Sequence, residues 1–263
     1  MYEDRNSQDS PGNSPSAGET VFASALSEPD KWAVFLDIDG TLIDLAATPL
    51  SITVPPTLPD DLWALSQHLG GAMALVTGRN IVLADELFGP HLFPIAGLHG
   101  AERRDASGAV DSLTVPSAFE QLKRDIADEA GAWSGVVVED KGAALGVHYR
   151  LAPERKADVE ALMSRFAPTM PDWSLQHGKM VVELRPARAS KGKALEAFLQ
   201  EAPFKGRVPL AIGDDLTDEA MFETVNSLGG QSIRIGSAGT QTRARALISS
   251  PTALRALIAR VAA

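Results

Sequence analysis

Two carboxylates stand two residues apart at the end of a short apolar run. In the segment VFLDIDGTL, Asp37 and Asp39 follow residues 34–36, and a glycine and a threonine come after them. Side chains alternate along an extended chain, so both carboxylates can project to the same side. One can then act as a nucleophile while the other transfers protons, if their environments differ. The spacing therefore indicates a site for nucleophilic and acid–base chemistry.

A carboxylate that attacks phosphorus needs positive charge nearby, because both groups are anionic. Lys191 opens a predicted helix in the segment SKG, and an acidic loop, GDDLTD, contains Asp214, Asp215 and Asp218, which could bind a metal cation. A lysine in the first turn opposes the helix dipole, so we expect Lys191 to have an anionic partner. Acids also favour helix N-termini, and for Asp215 and Asp218 capping alone stays an open interpretation.

Three apolar runs each end in a polar residue, and they indicate how these side chains are positioned. Continuous apolar character without alternation is typical of parallel strands covered on both faces. The runs are residues 33–36, 72–76 and 208–212, which precede Asp37, Thr77 and Asp214. Ligands of open α/β sheets bind beyond the carboxyl ends of the strands, so these three residues should meet there. The sequence predicts an α/β fold with a Rossmann-like parallel sheet.

The stretch between Thr77 and Asp214 is too long for a single crossover, so a second unit is predicted within it. The pattern of residues 102–186 predicts an α+β cap domain, inserted between core segments 31–101 and 187–263. The cap should contain two helix–hairpin units in succession. The predicted helices are 118–133 and 153–166; the predicted hairpins are 136–139 with 143–150, around Lys141-Gly142, and 173–176 with 180–185, around His177-Gly178.

Composition excludes several classes of protein. Residues 1–30 are rich in Ser, Pro, Gly and acids, which predicts a disordered leader and not a signal peptide. A formal net charge of -10 disfavours nucleic acid or an anionic membrane as partner. No apolar run approaches the roughly 18 residues of a membrane span. The chain has no cysteine, which excludes disulfides and thiol chemistry and is compatible with the cytoplasm, where we expect the protein.

Four motifs in chain order resemble those of the haloacid dehalogenase superfamily, in its phosphatase branch. They are DIDGT at 37–41, VTGR at 76–79, Lys191, and GDDLTDE at 213–219. The long insert resembles the type IIB cap of that superfamily. Within the branch, residues 31–260 are most similar to the trehalose-6-phosphate phosphatases, including the cap stretches EDKG at 139–142, HYR at 148–150 and GKMVVELRP at 178–186. Thr77 stands where serine is common.

The resemblance implies a role for each motif residue. Asp37 would attack phosphorus and form an aspartyl-phosphate, and Asp39 would protonate the departing sugar oxygen and later activate water. Thr77 and Lys191 would hold phosphoryl oxygens. Mg²⁺ would be bound by the Asp37 carboxylate, the Asp39 backbone carbonyl and Asp214, with Asp215 and Asp218 supporting the loop. Such a ligand set suits Mg²⁺, which prefers few carboxylates together with water and phosphate.

The cap should bind the sugar. Acids and amines on one face suit a ring of hydroxyls, which need acceptors and donors together. The resemblance implies that the disaccharide contacts Glu139, Lys141, Arg150, Lys179 and Glu183, with Gly78 and Arg79 as further substrate-binding residues. Trp63, Trp133 and Trp173 are predicted to pack and are given no sugar-stacking role. For His99, substrate contact and a hinge role are both open.

The leading hypothesis is Mg²⁺-dependent hydrolysis of trehalose 6-phosphate to trehalose and phosphate. Another sugar phosphatase with the same cap, acting on sucrose phosphate or mannosyl phosphoglycerate, is an alternative. A phosphomannomutase-like enzyme would share the nucleophile and the type of cap but return the phosphoryl group to sugar. A non-catalytic sugar-phosphate sensor is disfavoured because every catalytic position is filled. The expected partner is a phosphorylated disaccharide, with neither nucleic acid nor membrane involved.

Overall fold

A computed structural model of the protein describes residues 16–45 and 52–262. The helices are α1 (Ala17–Ser27), α2 (Leu58–His68), α3 (Ile81–Phe88), α4 (Ser117–Ala130), α5 (Lys156–Phe166), α6 (Lys191–Phe198), α7 (Glu219–Ser227) and α8 (Pro251–Ala262). The strands are β1 (Trp32–Leu36), β2 (Met73–Val76), β3 (Ile95–Gly97), β4 (Glu102–Arg104), β5 (Val110–Ser112), β6 (Val137–Asp140), β7 (Leu145–His148), β8 (Trp173–Gly178), β9 (Val181–Pro186), β10 (Val208–Gly213), β11 (Gln231–Ile235) and β12 (Ala246–Ile248).

The large sheet has eight strands in the order β12-β11-β10-β1-β2-β3-β4-β5. The strands from β12 to β3 run parallel, and β4 and β5 continue the sheet antiparallel. Strand β1 is buried on both faces: Leu36 packs in one apolar cluster and Phe35 in another on the opposite side. This two-sided burial explains the continuous apolar runs and confirms the predicted α/β fold.

The small sheet is antiparallel, with the order β6-β7-β9-β8, and lies in the chain between β5 and α6. We call this sheet together with α4 and α5 the inserted unit. It has its own apolar core, in which Phe119 of α4 stacks on Trp173 with ring centroids 5.0 Å apart. Trp133 packs against the same core, as predicted. Trp63, by contrast, is 40% exposed and stacks on His91.

Two boundaries within the predicted cap differ from the structure. Strands β4 and β5 pair with the large sheet, so the small sheet does not begin at residue 102, where the sequence predicted the cap to start. The β8–β9 hairpin pairs Gly178 with Val181, so its turn is Lys179-Met180 and not His177-Gly178. Met180 takes the positive φ of this turn, 66°, which lets β8 extend to Gly178.

The predicted disorder of residues 1–30 is wrong for residues 17–27, which form α1, whereas residues 1–15 lie outside the described part of the chain. Ser16 and Glu19 form a capping box, and Phe22 and Ala25 are fully buried. The helix packs closely on β12 and α8, and a Cβ at Gly18 would collide with the Leu247 carbonyl. The prediction rested on the average composition of residues 1–30, which did not reveal the short amphipathic helix that Ser16 caps.

Candidate active site

The carboxyl ends of three neighbouring strands carry the predicted chemistry. Strand β1 lies between β10 and β2, with Leu36 opposite both Ile212 and Leu75. The next residue, Asp37, donates its backbone N–H to the Ile212 carbonyl at 2.9 Å, which continues the pairing into the site. Thr77 and Asp214 follow β2 and β10 directly. The large sheet therefore brings the three predicted residues to one edge.

Asp37 is buried and held by two donors. Lys191 Nζ donates to its Oδ1 at 2.6 Å, and the Thr41 hydroxyl donates to its Oδ2 at 3.1 Å. Burial and the nearby Asp218 raise the pKa of Asp37 well above its ordinary value. Burial opposes the charge of Lys191, but Asp218 and Asp37 outweigh it and raise the pKa of that ammonium. Lys191 is therefore a fixed positive charge beside Asp37, as the helix-dipole argument predicted.

Asp218 braces the acidic loop after β10. Its Oδ1 accepts from Lys191 Nζ at 2.6 Å, and its Oδ2 accepts the backbone N–H groups of Asp214 and Asp215, each at 2.9 Å. Asp215 accepts the Leu216 backbone N–H at 2.7 Å and so caps the following 3₁₀ turn. Of the two open interpretations, capping describes Asp215, whereas Asp218 also fixes Lys191.

The site has the character of a cation site. Asp37, Asp214 and Asp218 each offer a carboxylate oxygen, and these oxygens lie within 4.8 Å of one another. Burial raises the pKa of Asp214 to about 6. Its Oδ1 is buried without a hydrogen-bond partner among the described residues. A buried acceptor left open among three carboxylates fits a divalent cation, which takes oxygen ligands. This grouping of side chains adds Asp218 to the predicted Asp37 and Asp214, and the Asp39 carbonyl stays a prediction.

Asp39 is paired with Arg79. The guanidinium donates through Nε and Nη2 to the two carboxylate oxygens, both at 2.7 Å. The Arg79 backbone N–H donates to Thr77 Oγ1 at 3.1 Å within the second motif, and the pair with Asp39 joins that motif to the first. This two-point pair fixes the plane of the Asp39 carboxylate. Arg79, predicted to bind substrate, thus also positions Asp39.

One cleft lies between the large sheet and the inserted unit, and predicted residues from both line it. On the inserted unit, Lys141 Nζ lies 3.2 Å from Glu183 Oε1 and 3.6 Å from Glu139 Oε2. We call Glu139, Lys141 and Glu183 the cap cluster. Burial opposes the charge of Lys141, but Glu183 and Glu139 raise its pKa. The cluster therefore presents two carboxylates and one ammonium to the cleft.

Lys179 departs from the predicted arrangement. Its Nζ lies 2.6 Å from Asp214 Oδ2 on the large-sheet side of the cleft, not in the cap cluster. Arg150 Nη2 donates to the Lys179 carbonyl at 2.9 Å and so holds the tip of the β8–β9 hairpin. The structure thus brings Lys179 and Arg150 into the cleft but separates the ammonium of Lys179 from the sugar-binding residues predicted beside it.

Comparison with known proteins decides the family. The sequence pattern of the trehalose-phosphatase family matches residues 35–249. The chain is 57% identical over 246 residues to the "probable trehalose-phosphate phosphatase" of Sinorhizobium fredii, a match that covers 93% of each chain. The chain belongs to the trehalose-phosphatase family. Trehalose-6-phosphate phosphatase of Escherichia coli is 43% identical over 215 residues, 80% of each chain.

Two solved structures share the fold of this trehalose-phosphatase family member. The C-terminal domain of a Candida albicans trehalose-6-phosphate phosphatase superposes with a TM-score of 0.80 at 21% identity, covering 96% of this chain and 99% of that one. A haloacid dehalogenase-like hydrolase from Bacteroides thetaiotaomicron superposes with a TM-score of 0.62 at 15% identity, covering 88% and 99%. These likenesses confirm the haloacid dehalogenase-like architecture.

Sequence reasoning gave no role to two side chains of this family member's candidate site. His148 Nε2 lies 2.8 Å from Glu139 Oε2, and its place in the HYR stretch at 148–150 was the signal that could have found it. Thr41, at the end of the first motif, holds Asp37.

No helix in the described ranges is long and apolar enough to cross a membrane.

Proposed function

We propose that this protein hydrolyses trehalose 6-phosphate to trehalose and inorganic phosphate, with Mg²⁺, through an aspartyl-phosphate on Asp37. One observation carries the proposal. Asp37, paired with Lys191, lines the same cleft as the cap cluster of Glu139, Lys141 and Glu183. Membership of the trehalose-phosphatase family supports it independently. A cytoplasmic location stays a prediction.

The chemistry takes two displacements at phosphorus. An Asp37 carboxylate oxygen attacks phosphorus, the bond from phosphorus to the sugar oxygen breaks, and Asp39 gives that oxygen a proton. Asp39 then takes a proton from water, whose oxygen attacks the same phosphorus and releases phosphate and the Asp37 carboxylate. Lys191 and Thr77 hold phosphoryl oxygens, and Arg79 fixes the Asp39 carboxylate through the two bonds of 2.7 Å.

Mg²⁺ would be held by Asp37 and Asp214, with the Asp39 carbonyl as the further protein ligand and Asp218 beside them. The open Asp214 Oδ1 supports this assignment, because a buried carboxylate oxygen needs a partner. When bound, the cation offsets negative charge on the phosphate and favours the anionic form of Asp37, whose pKa burial raises. Asp215 and Asp218 support the loop.

The inserted unit serves as the cap and binds the sugar. Glu139 and Glu183 accept hydrogen bonds from hydroxyls, and Lys141 donates to them. Arg150 and Lys179 contribute from the β7 side and the hairpin tip, with Gly78 and Arg79 at the phosphate end. We assign the core to residues 31–101 and 187–263, extended by β4 and β5, which pair with its sheet.

A substrate panel tests the proposal. We expect phosphate release from trehalose 6-phosphate with Mg²⁺, at a kcat/KM well above that for sucrose, glucose or mannose phosphates and mannosyl phosphoglycerate. EDTA should abolish the activity, and added Mg²⁺ should restore it. A preference for another sugar phosphate would overturn the substrate and leave the chemistry standing. Isomerised sugar phosphate without free phosphate would instead indicate a mutase.

A further inference from the structure

His99 lies at a strained point of the core. It follows β3 in a 3₁₀ turn, and both Leu98 (φ 49°) and His99 (φ 57°) are left-handed although neither is glycine. A left-handed backbone is unfavourable for residues other than glycine, and it persists only where its surroundings hold it. Here the His99 backbone N–H donates to the Thr77 carbonyl at 2.9 Å. This left-handed conformation directs the imidazole across the cleft.

The imidazole reaches the other side of the cleft. His99 is 6% exposed, and its Nε2 lies 3.2 Å from Glu183 Oε2 on β9. The ring lies so close to Gly78 that a Cβ there would be 2.8 Å from Nε2, so any larger residue at 78 would displace the imidazole. The contact thus joins the second motif of the core to the cap cluster.

The hydrogen bonding assigns the tautomer. Burial lowers the pKa of His99 below its ordinary value of 6.5, so at neutral pH the ring is neutral and carries one N–H. Because Glu183 is an acceptor, that proton lies on Nε2. Nδ1 is then the acceptor nitrogen, and it is buried with no partner among the described residues.

Glu183 is therefore fixed by one donor from each unit. Lys141 Nζ holds Oε1 and His99 Nε2 holds Oε2, both at 3.2 Å. Lys141 belongs to the same inserted unit and orients Glu183 whatever the position of that unit. His99 belongs to the core, so its hydrogen bond exists only while core and inserted unit are arranged as they are here.

We propose that His99 is a specificity-determining positioning residue, which fixes the Glu183 carboxylate from the core side in the orientation that reads a sugar hydroxyl. The inference rests on the proposed function, in which Glu183 binds the disaccharide. His99 takes no part in the chemistry at phosphorus. It makes sugar recognition by the inserted unit depend on contact with the core.

The test compares His99→Ala, His99→Gln and His99→Asn on trehalose 6-phosphate and p-nitrophenyl phosphate. Losing a hydrogen bond to a carboxylate costs about 1.5 kcal/mol, so His99→Ala should lower kcat/KM for trehalose 6-phosphate roughly tenfold, mainly through KM. Hydrolysis of p-nitrophenyl phosphate should change less than about twofold. Gln places an amide near the position of Nε2 and should restore most of the loss; Asn ends one bond short and should not. His177→Ala, at an exposed site on β8, is the control.

A double-mutant cycle guards against misfolding as an explanation. On a Glu183→Ala background, His99→Ala should have almost no further effect on trehalose 6-phosphate, because the carboxylate that His99 positions is already absent. Equal losses on both substrates, or additive losses in the cycle, would overturn the proposal. A wild-type protein inactive on trehalose 6-phosphate would instead overturn the proposed function, and that result is read before any variant is compared.

Discussion

Lys179 Nζ lies 2.6 Å from Asp214 Oδ2, so the tip of the β8–β9 hairpin is ion-paired with the acidic loop after β10. The lysine belongs to the inserted unit and the aspartate to the large-sheet side. Asp214 is also a proposed ligand of the metal ion. The ammonium and the metal ion therefore share one carboxylate.

We predict that Lys179→Met strengthens Mg²⁺ binding, because it removes a tethered cation that competes for Asp214. The Lys179 side chain is 44% exposed, so the pair contributes at most about 1 kcal/mol, and the dissociation constant should fall by no more than roughly fivefold. Titration calorimetry with Mg²⁺ measures it. Lys193→Met, at an exposed position on α6, should leave the affinity unchanged. Weaker Mg²⁺ binding in Lys179→Met would contradict the shared-ligand interpretation.

Asp37→Asn should abolish turnover and keep the fold, since an amide preserves the shape but cannot attack phosphorus. Lys191 keeps a partner in this variant, because it also donates to Asp218 at 2.6 Å. Single-turnover phosphate release and thermal denaturation measure the two properties. Asp39→Asn should slow turnover by roughly 10²- to 10⁴-fold, the usual contribution of general acid–base catalysis. Release at near wild-type rate by Asp37→Asn would reject Asp37 as the nucleophile.

Glu183→Gln should lower kcat/KM for trehalose 6-phosphate by about 10- to 200-fold, because a charged acceptor for sugar hydroxyls is lost. Hydrolysis of p-nitrophenyl phosphate, which offers no sugar to the cap cluster, should barely change. Lys141 remains paired with Glu139 at 3.6 Å, so the substitution does not strand a buried ammonium. Glu154→Gln, at an exposed position just before α5, is the matched control. A parallel loss on both substrates would place Glu183 in the phosphate site.

Stability should fall in mild acid because of His99. Burial holds its pKa below 6.5, so the folded state binds fewer protons than the unfolded state as the pH drops below about 6.5. Among the charged groups around His99, Glu183 favours the protonated imidazole, whereas Lys191 and Lys141 disfavour it. Denaturant titrations between pH 7 and 5.5 should show a smaller loss in His99→Gln than in the wild type, by at most about 1.4 kcal/mol per pH unit. Identical slopes would exclude His99 as a contributor.

Phe22→Ala should lower the free energy of unfolding by about 3–5 kcal/mol, because it empties a fully buried site beneath α1. Phe22 does not line the cleft, so kcat/KM of the folded protein should stay at the wild-type value. Glu28→Ala removes an exposed ion pair with Lys31 and should change stability by less than about 1 kcal/mol. A Phe22→Ala protein as stable as the wild type would show that α1 does not contribute to the stability of the core.

The convergence of Asp37, Thr77 and Asp214 could be predicted from sequence because each follows a run that only a doubly covered parallel strand explains. Strands β4 and β5 could not be predicted, since the residues of Glu102–Arg104 and Val110–Ser112 are mostly polar. They extend the sheet only because β4 pairs with β3 and β5 pairs with β4. The pairing of Lys179 with Asp214 and of His99 with Glu183 depends on how two units face each other. No local pattern encodes that arrangement.

The short connection between β9 and α6 bears on how such enzymes acquire new substrates. Residues 187–190 alone separate the end of the small sheet from Lys191, and Arg185 of β9 donates to the carbonyl of Ala189 within them. Contacts cross the cleft in both directions, from Lys179 to the core and from His99 to the cap. An inserted unit grafted from a relative of different sugar preference would therefore face a core whose side chains contact the original unit. Evolution of specificity in this lineage is expected to change position 99 and the inserted unit together.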